Sequence, residues 1–191
     1  VKRLPGSSPD KTVLRVDVEE KSTGQLSFGA GFSTTNGILG DIGIVERNFL
    51  GKGQRVGLKL TIAALKSEID FSFTEPFFLG REIRAGFDIF RVSQDLQDFS
   101  SFETDTTGFG LRGGYKITED LRQDWRYTFK VSKVSSVSIT ASPLIQTEVG
   151  NSTTSLISHT VSYDKRDSAI NPTSGFIARM GNILAGLGGS V

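Results

Sequence analysis

The feature that most constrains this chain is a two-residue alternation of apolar and polar side chains that recurs along most of its length. Successive side chains of a strand point to opposite faces, so each such stretch reads as a strand with one apolar face. In "RVGLKLTI", Val56, Leu58, Leu60 and Ile62 alternate with Arg55, Gly57, Lys59 and Thr61. "EIDFSFT" sets Ile69, Phe71 and Phe73 against Glu68, Asp70 and Ser72, and "REIRAGFDI" sets Ile83, Ala85, Phe87 and Ile89 against Arg84, Gly86 and Asp88. "GFGLRGGYKI" carries Phe109, Leu111, Tyr115 and Ile117 opposite Gly110, Arg112 and Lys116, and "DWRYTFKVSK" carries Trp125, Tyr127, Phe129 and Val131 opposite Arg126 and Lys130. "LISHTVSYD" shows the pattern more weakly, and helical periodicity is hard to find anywhere. The sharpest case is "GQLSFGAGFSTT", where Leu26, Phe28, Ala30 and Phe32 alternate with Ser27, Gly29, Gly31 and Ser33. Glycine costs backbone entropy and offers nothing to pack, so a strand whose second face is almost bare needs a reason.

Connections of two kinds are expected between these strands. "NFLGKGQ" (48–54), "EPFFLGRE" (75–82) and "TEDLRQD" (118–124) are short or tightly punctuated, whereas "SQDLQDFSSFET" (93–104) and residues 135–155 are longer and polar. This reads as an up-and-down antiparallel meander whose two rims differ, as in outer-membrane barrels. A soluble sandwich alternates too. In a soluble barrel the charged face would point outward, and in a membrane barrel it would line a wet lumen while the apolar face meets lipid. Phe49, Phe77, Phe78, Trp125 and Tyr163 fall near the expected rims, which suits an interfacial girdle and favours the membrane barrel.

Composition excludes several classes. The net charge is +1 and the basic residues are scattered, so no nucleic-acid partner is expected. With no cysteine, neither disulfides nor thiolate metal sites can form. No apolar run is long enough for a transmembrane helix, and the polar, proline-interrupted start is not a secretory signal. The chain opens without Met and stops in or just after a strand-like stretch at 177–187, which reads as an internal piece of something longer. His159 is the single histidine and has no cysteine or clustered carboxylate at ligand spacing, so no metal or catalytic duty is expected of it. "GFGLRGG" lies within a strand with no helix following, unlike a phosphate loop. Nothing brings Glu75 and Asp164 together as a carboxylate pair. "DKRDS" (164–168) reads as a turn held by local ion pairs and Asx geometry, or alternatively as a rim contact. No cofactor and no enzymatic activity are expected.

Before the meander, "KTVLRVDVEEKSTG" holds a strand, with Leu14, Val16 and Val18 facing one way, that reads as the last strand of a preceding soluble domain. The stretch "VDVEEKSTGQLSFGAGFSTTNGILGDIGIVERNFLGKGQRVGL" closely resembles the junction between the last POTRA domain and the barrel in the BamA family of bacterial outer-membrane assembly factors. The similar elements are "STG" before a glycine-rich strand, "NFLGKGQ" in a tight turn, "TEPFF" ending a strand, and "SYDKRDSAINPTSG" between two later strands. The correspondence runs from about Val13 to the C-terminus, with order and turn spacing kept. It implies an all-β fold: an antiparallel up-and-down transmembrane β-barrel, present in part, with about nine strands where the family has sixteen. Residues 1–21 would then end the last POTRA domain, and residues 22–191 would begin the barrel. The family's inward-folding loop and its closing strand have no counterpart here.

The resemblance also implies a function. The first strand would pair with the last at a seam that opens laterally, and its backbone would template an incoming strand by β-augmentation. The residues expected to do so are Leu26, Ser27, Phe28, Gly29, Ala30, Gly31, Phe32 and Ser33. Asp164, Arg166 and Asp167 would make contacts at the periplasmic rim. The implied partners are unfolded outer-membrane client proteins, accessory assembly lipoproteins and the lipid bilayer, with the N-terminal end in the periplasm of a bacterial cell. The alternatives are a related POTRA-barrel secretion transporter and a passive porin-like channel.

Overall fold

The computed structural model describes residues 1–8, 10–19, 21–186 and 188. Short strands β1 (Lys2–Pro5) and β2 (Thr12–Arg15) pair in a separate two-stranded sheet. The expected strand through Val16 and Val18 therefore stops at Arg15, and residues 16–19 carry no strand. The rest is one antiparallel meander: β3 (Gly24–Ser33), β4 (Gly37–Phe49), β5 (Gln54–Ala63), β6 (Lys66–Glu75), β7 (Ile83–Asp95), β8 (Glu103–Lys116), β9 (Leu121–Ser135), β10 (Gly150–Asp164) and β11 (Ile177–Ala185). Each strand pairs with its sequence neighbour, so β3 and β11 are the two edges of an unclosed nine-stranded sheet. Residue 187, part of the expected last strand, lies outside the described residues.

Two strands exceed the alternating stretches that announce them. On β4, Leu39 and Val45 share the face of Asp41 and Gly43, which blurs the period. The first half of β10 is Ser/Thr-rich on both faces and carries no apolar signal. The rims also differ less than expected. At the end where β3 begins, the connections are 50–53, 76–82, 117–120 and 165–176, and at the other end they are 34–36, 64–65, 96–102 and 136–149. Each rim mixes tight and long connections. A short helix, Gln97–Ser100, lies in the third of the far-rim connections, and another, Pro143–Thr147, in the fourth.

Register gathers the apolar positions on one face. Phe28 pairs with Ile42, Ile42 with Leu60, Leu60 with Ile69, Phe87 with Leu111, and Leu111 with Tyr127. Aromatic rings meet between adjacent strands along it, such as Phe73 with Phe87 at 5.6 Å and Phe109 with Phe129 at 5.6 Å. Nothing among the described residues covers this face. Among the described residues the one buried hydrophobic side chain is Ala141, in a rim connection, while Phe28 is 73% exposed and Phe32 75%. Each large apolar side chain moved from water into a nonpolar medium gains on the order of 1.5–3 kcal/mol, so a wall this bare requires lipid. Between Gln123 and Lys133, outward-facing polar residues of β9, lie ten residue steps. That is about 33 Å along the strand and about 25 Å along the membrane normal at the usual strand tilt, the height of a barrel's apolar band.

On the opposite face, polar side chains reach across whole strands. Arg84 of β7 meets Asp124 of β9 at 2.6 Å, and Arg126 of β9 meets Asp88 of β7 at 3.5 Å, both over β8. Arg112 of β8 donates to Thr74 Oγ1 and the Phe73 carbonyl of β6, both at 3.3 Å, over β7. Glycines make these crossings possible. A Cβ at Gly114 would stand 2.2 Å from Asp124, and one at Gly86 would stand 3.2 Å from Arg112.

Candidate functional site

The candidate site is the free edge of β3. This strand pairs with β4 alone, from Gly24 opposite Glu46 to Ser33 opposite Gly37. In an antiparallel ladder every second residue turns its N–H and C=O away from the partner strand, so one row of backbone groups along Gly24–Ser33 has no strand to pair with among the described residues. An unpaired row of this kind is a template for another strand.

The two ends of β3 are pinned. At the near end Thr23 Oγ1 donates to Glu46 Oε1, and Arg47 donates to Gln25 Oε1 at 2.8 Å. At the far end Ser33 Oγ accepts from the backbone N–H groups of Thr35 and Asn36, at 3.2 and 3.3 Å, and so fixes the hairpin. Between these anchors the polar face makes one side-chain hydrogen bond, from Ser27 Oγ to the Gly43 carbonyl at 3.2 Å.

The glycines of β3 are not demanded by packing. A Cβ at Gly29 would meet Asp41 at 3.5 Å and one at Gly31 would meet Leu39 at 3.5 Å, both ordinary contacts. Neither residue has a positive φ. The contrast is with β8, where a Cβ at Gly108 would lie 2.6 Å from both the Phe129 carbonyl and the Phe90 ring. Gly108 is required by its neighbours, whereas Gly29 and Gly31 leave the lumen side of β3 bare where a side chain would fit. The outward residues Leu26, Phe28 and Phe32 are all exposed on the lipid wall, flanking Ala30.

The structure does not bring the expected rim residues to this edge. Asp164 and Arg166 grip each other in a bidentate pair, at 2.8 and 2.6 Å, and Lys165 meets Asp120 at 2.5 Å. Asp167 accepts from Thr173 N at 3.0 Å, Ser174 N at 3.2 Å and the Thr173 hydroxyl. These bonds hold the carboxyl of Asp167 down at about 2, with the Thr173 hydroxyl the largest cause. The charges of "DKRDS" are thus spent on partners at the near rim, within their own connection or on Asp120 of the neighbouring one. His159 stacks on Trp125 with ring centroids 4.1 Å apart, on the lipid wall rather than at a strand end. No group of three or more His, Cys, Asp or Glu suited to a metal occurs among the described residues.

Known proteins share this architecture. The sequence profile described as the Omp85 superfamily domain matches residues 48–191. Outer membrane protein assembly factor BamA of Neorickettsia risticii is 27% identical over 179 residues, covering 94% of this chain and 24% of that protein. The protein of the same name from Nitratidesulfovibrio vulgaris is 28% identical over 185 residues, covering 96% of this chain and 23% of that protein. The crystal structure of BamA from Haemophilus ducreyi lacking POTRA domains 1–3 superposes with a TM-score of 0.66 at 22% identity, over 90% of this chain and 35% of that one. The chain spans about a quarter of the length of the curated relatives it matches.

Proposed function

The chain belongs to the Omp85 superfamily, and we propose that it forms the entry side of an outer-membrane assembly barrel whose first strand, β3, receives the edge strand of a client protein. Main-chain hydrogen bonds recognise any extended segment, which suits a machine that must accept many sequences. Such a reaction needs no nucleotide, metal or nucleophile. It needs an edge that can be exchanged, and its driving force is the folding of the client.

The observation that carries this reading is that β3, the first strand of the sheet, carries at Gly29 and Gly31 glycines that no neighbour requires. The apolar side chains Leu26, Phe28, Ala30 and Phe32 would stay in lipid while Ser27, Gly29, Gly31 and Ser33 let the strand bend or peel toward the lumen. In this reading the near rim faces the periplasm, and the connection carrying Asp164, Arg166 and Asp167 presents its backbone there to accessory lipoproteins or to the soluble region preceding β3. The names of the BamA relatives and the barrel likeness support the outer-membrane setting.

Proline removes a backbone donor that an extended partner would use. The Ser27–Gly43 bond shows that Ser27, Gly29 and Gly31 turn their backbone groups toward β4, which leaves the N–H groups of Phe28 and Ala30 on the free edge. In the intact protein reconstituted in phospholipid vesicles, Phe28→Pro or Ala30→Pro is expected to abolish insertion of an unfolded barrel client while the variant itself still migrates as a heat-modifiable band. A paired cysteine at Ser27 and in the client's terminal strand is expected to form a disulfide during insertion. Normal insertion by both proline variants, with no such crosslink, would sink the assignment of β3.

A further inference from the structure

The lipid wall carries a polar cluster that the strand-exchange reading leaves unused. By register, Tyr115 of β8 sits opposite Gln123 of β9, and Trp125 of β9 sits opposite His159 of β10, which sits opposite Asn182 of β11. All five share the face of Leu111, Tyr127 and Ile157. They lie at the level of Gln123, one border of the 25 Å apolar band derived above, where hydrocarbon gives way to glycerol esters and phosphates.

The hydrogen bonds in this cluster run in one direction. Tyr115 Oη donates to Gln123 Oε1 at 3.1 Å, so the carbonyl end of that amide is the acceptor. Its Nε2 then donates to His159 Nε2 at 2.8 Å. In the neutral imidazole this leaves the proton on Nδ1. Stacking on Trp125 at 4.1 Å and 23° holds the ring plane. Nδ1–H has no protein partner among the described residues, nor do the Trp125 indole N–H and the Asn182 amide. Ser155, fully buried on the same face, by contrast gives its hydroxyl to Tyr127 Oη at 3.1 Å. Gly113, paired with Trp125, leaves open space beside the indole, since a Cβ there would meet nothing within 4 Å.

We propose that this cluster is a lipid site, in which His159 Nδ1–H, the Trp125 indole N–H and the Asn182 amide hold phosphate or ester oxygens of a glycerophospholipid and Gly113 gives the headgroup room. An unpaired donor facing a bilayer is costly, and lipid oxygens are the acceptors available at that depth. Tyr115 and Gln123 are positioning residues that set the imidazole tautomer. The site would fix the height of the barrel wall in the leaflet at the near rim. It depends on the apolar face lying in lipid and not on β3 exchanging strands.

The test uses the intact protein, stripped of lipid in detergent and titrated with phosphatidylglycerol under native mass spectrometry. His159→Phe keeps a ring to stack on Trp125 but removes the donor, and is expected to weaken retention of the tightest phospholipid about tenfold, equivalent to about 1.4 kcal/mol or one hydrogen bond. Gln123→Leu keeps the donor but frees the ring, and is expected to give a smaller loss. Heat-modifiable migration checks that each variant is folded. Retention unchanged in both folded variants would overturn the proposal. Displacement of the lipid by inorganic phosphate alone would show a free-anion site, and would overturn the lipid assignment. Client insertion is read separately, so failure here leaves the reading of β3 standing.

Discussion

Filling the bare face of β3 separates a loose strand from a merely small one. At Gly29 and Gly31 the added methyl groups of Gly29→Ala/Gly31→Ala would make contacts of 3.5 Å with Asp41 and Leu39. Neither site needs a positive φ, so the substitutions carry no steric penalty. Each is expected to stabilise the β3–β4 pairing by about 0.4–1 kcal/mol, through the lower entropy of the unlocked chain. The double variant gains about 1–2 kcal/mol, which lowers the population of released β3 by a factor of about 5–30. If strand release precedes client pairing, insertion should slow by the same factor while the barrel itself melts higher. Gly108→Ala is the control, because its methyl would lie 2.6 Å from the Phe129 carbonyl and the Phe90 ring, and overpacking of that kind costs about 1–3 kcal/mol. Hydrogen exchange on β3 peptides in nanodiscs would report release, and the heat-modifiable fraction of a client over time would report insertion. Slower exchange on β3 together with undiminished insertion would refute the reasoning, because client capture would then not need this strand to open.

Three other outcomes follow from the same geometry. Gly175 has φ +91, and a Cβ there would stand 2.1 Å from the Lys165 carbonyl, so Gly175→Ala should destabilise the barrel by about 1–3 kcal/mol, seen as a lower temperature for loss of heat-modifiable migration. The Asp167 carboxyl sits at about 2 against an ordinary 3.8. A depressed carboxylate contributes stability above its unfolded value and loses it as pH falls through the folded one, so the 165–176 connection should loosen between about pH 4 and pH 2. A carboxyl carbon-13 titration giving an ordinary midpoint for Asp167 would contradict that. On the lumen face, Asp88→Ala leaves Arg112 and Arg126 facing each other without the carboxylate now 2.9 and 3.5 Å away. The loss should be about 1–3 kcal/mol, and an unchanged melting temperature would mean that lumen water already screens those charges.

How much of this was legible in the sequence differs from feature to feature. The alternation in β5, β6, β7 and β9 was enough to place each side chain on a face, because strand periodicity is a property of the local backbone. β4 was harder to read, since Leu39 and Val45 break its polar face, and the serines and threonines of β10 advertise no strand at all. The candidate edge at Gly24–Ser33 was visible as an odd composition, and the role proposed for it came from the family resemblance. The lipid-wall cluster was not visible, because Tyr115, Gln123, His159 and Asn182 come together only through the pairing of four strands.

The sequence by itself therefore determined that the chain would form strands with one apolar and one polar face. It did not determine which face would be covered, because a soluble barrel and a membrane barrel carry the same two-residue period. The tertiary structure decided that question: the apolar face lies bare while Arg84, Arg112 and Arg126 reach over their neighbours on the other side. It also separated glycines that look alike in the sequence. Whether a Cβ fits at Gly31 or collides at Gly108 depends on the atoms of an adjacent strand, and those arrive only with the register.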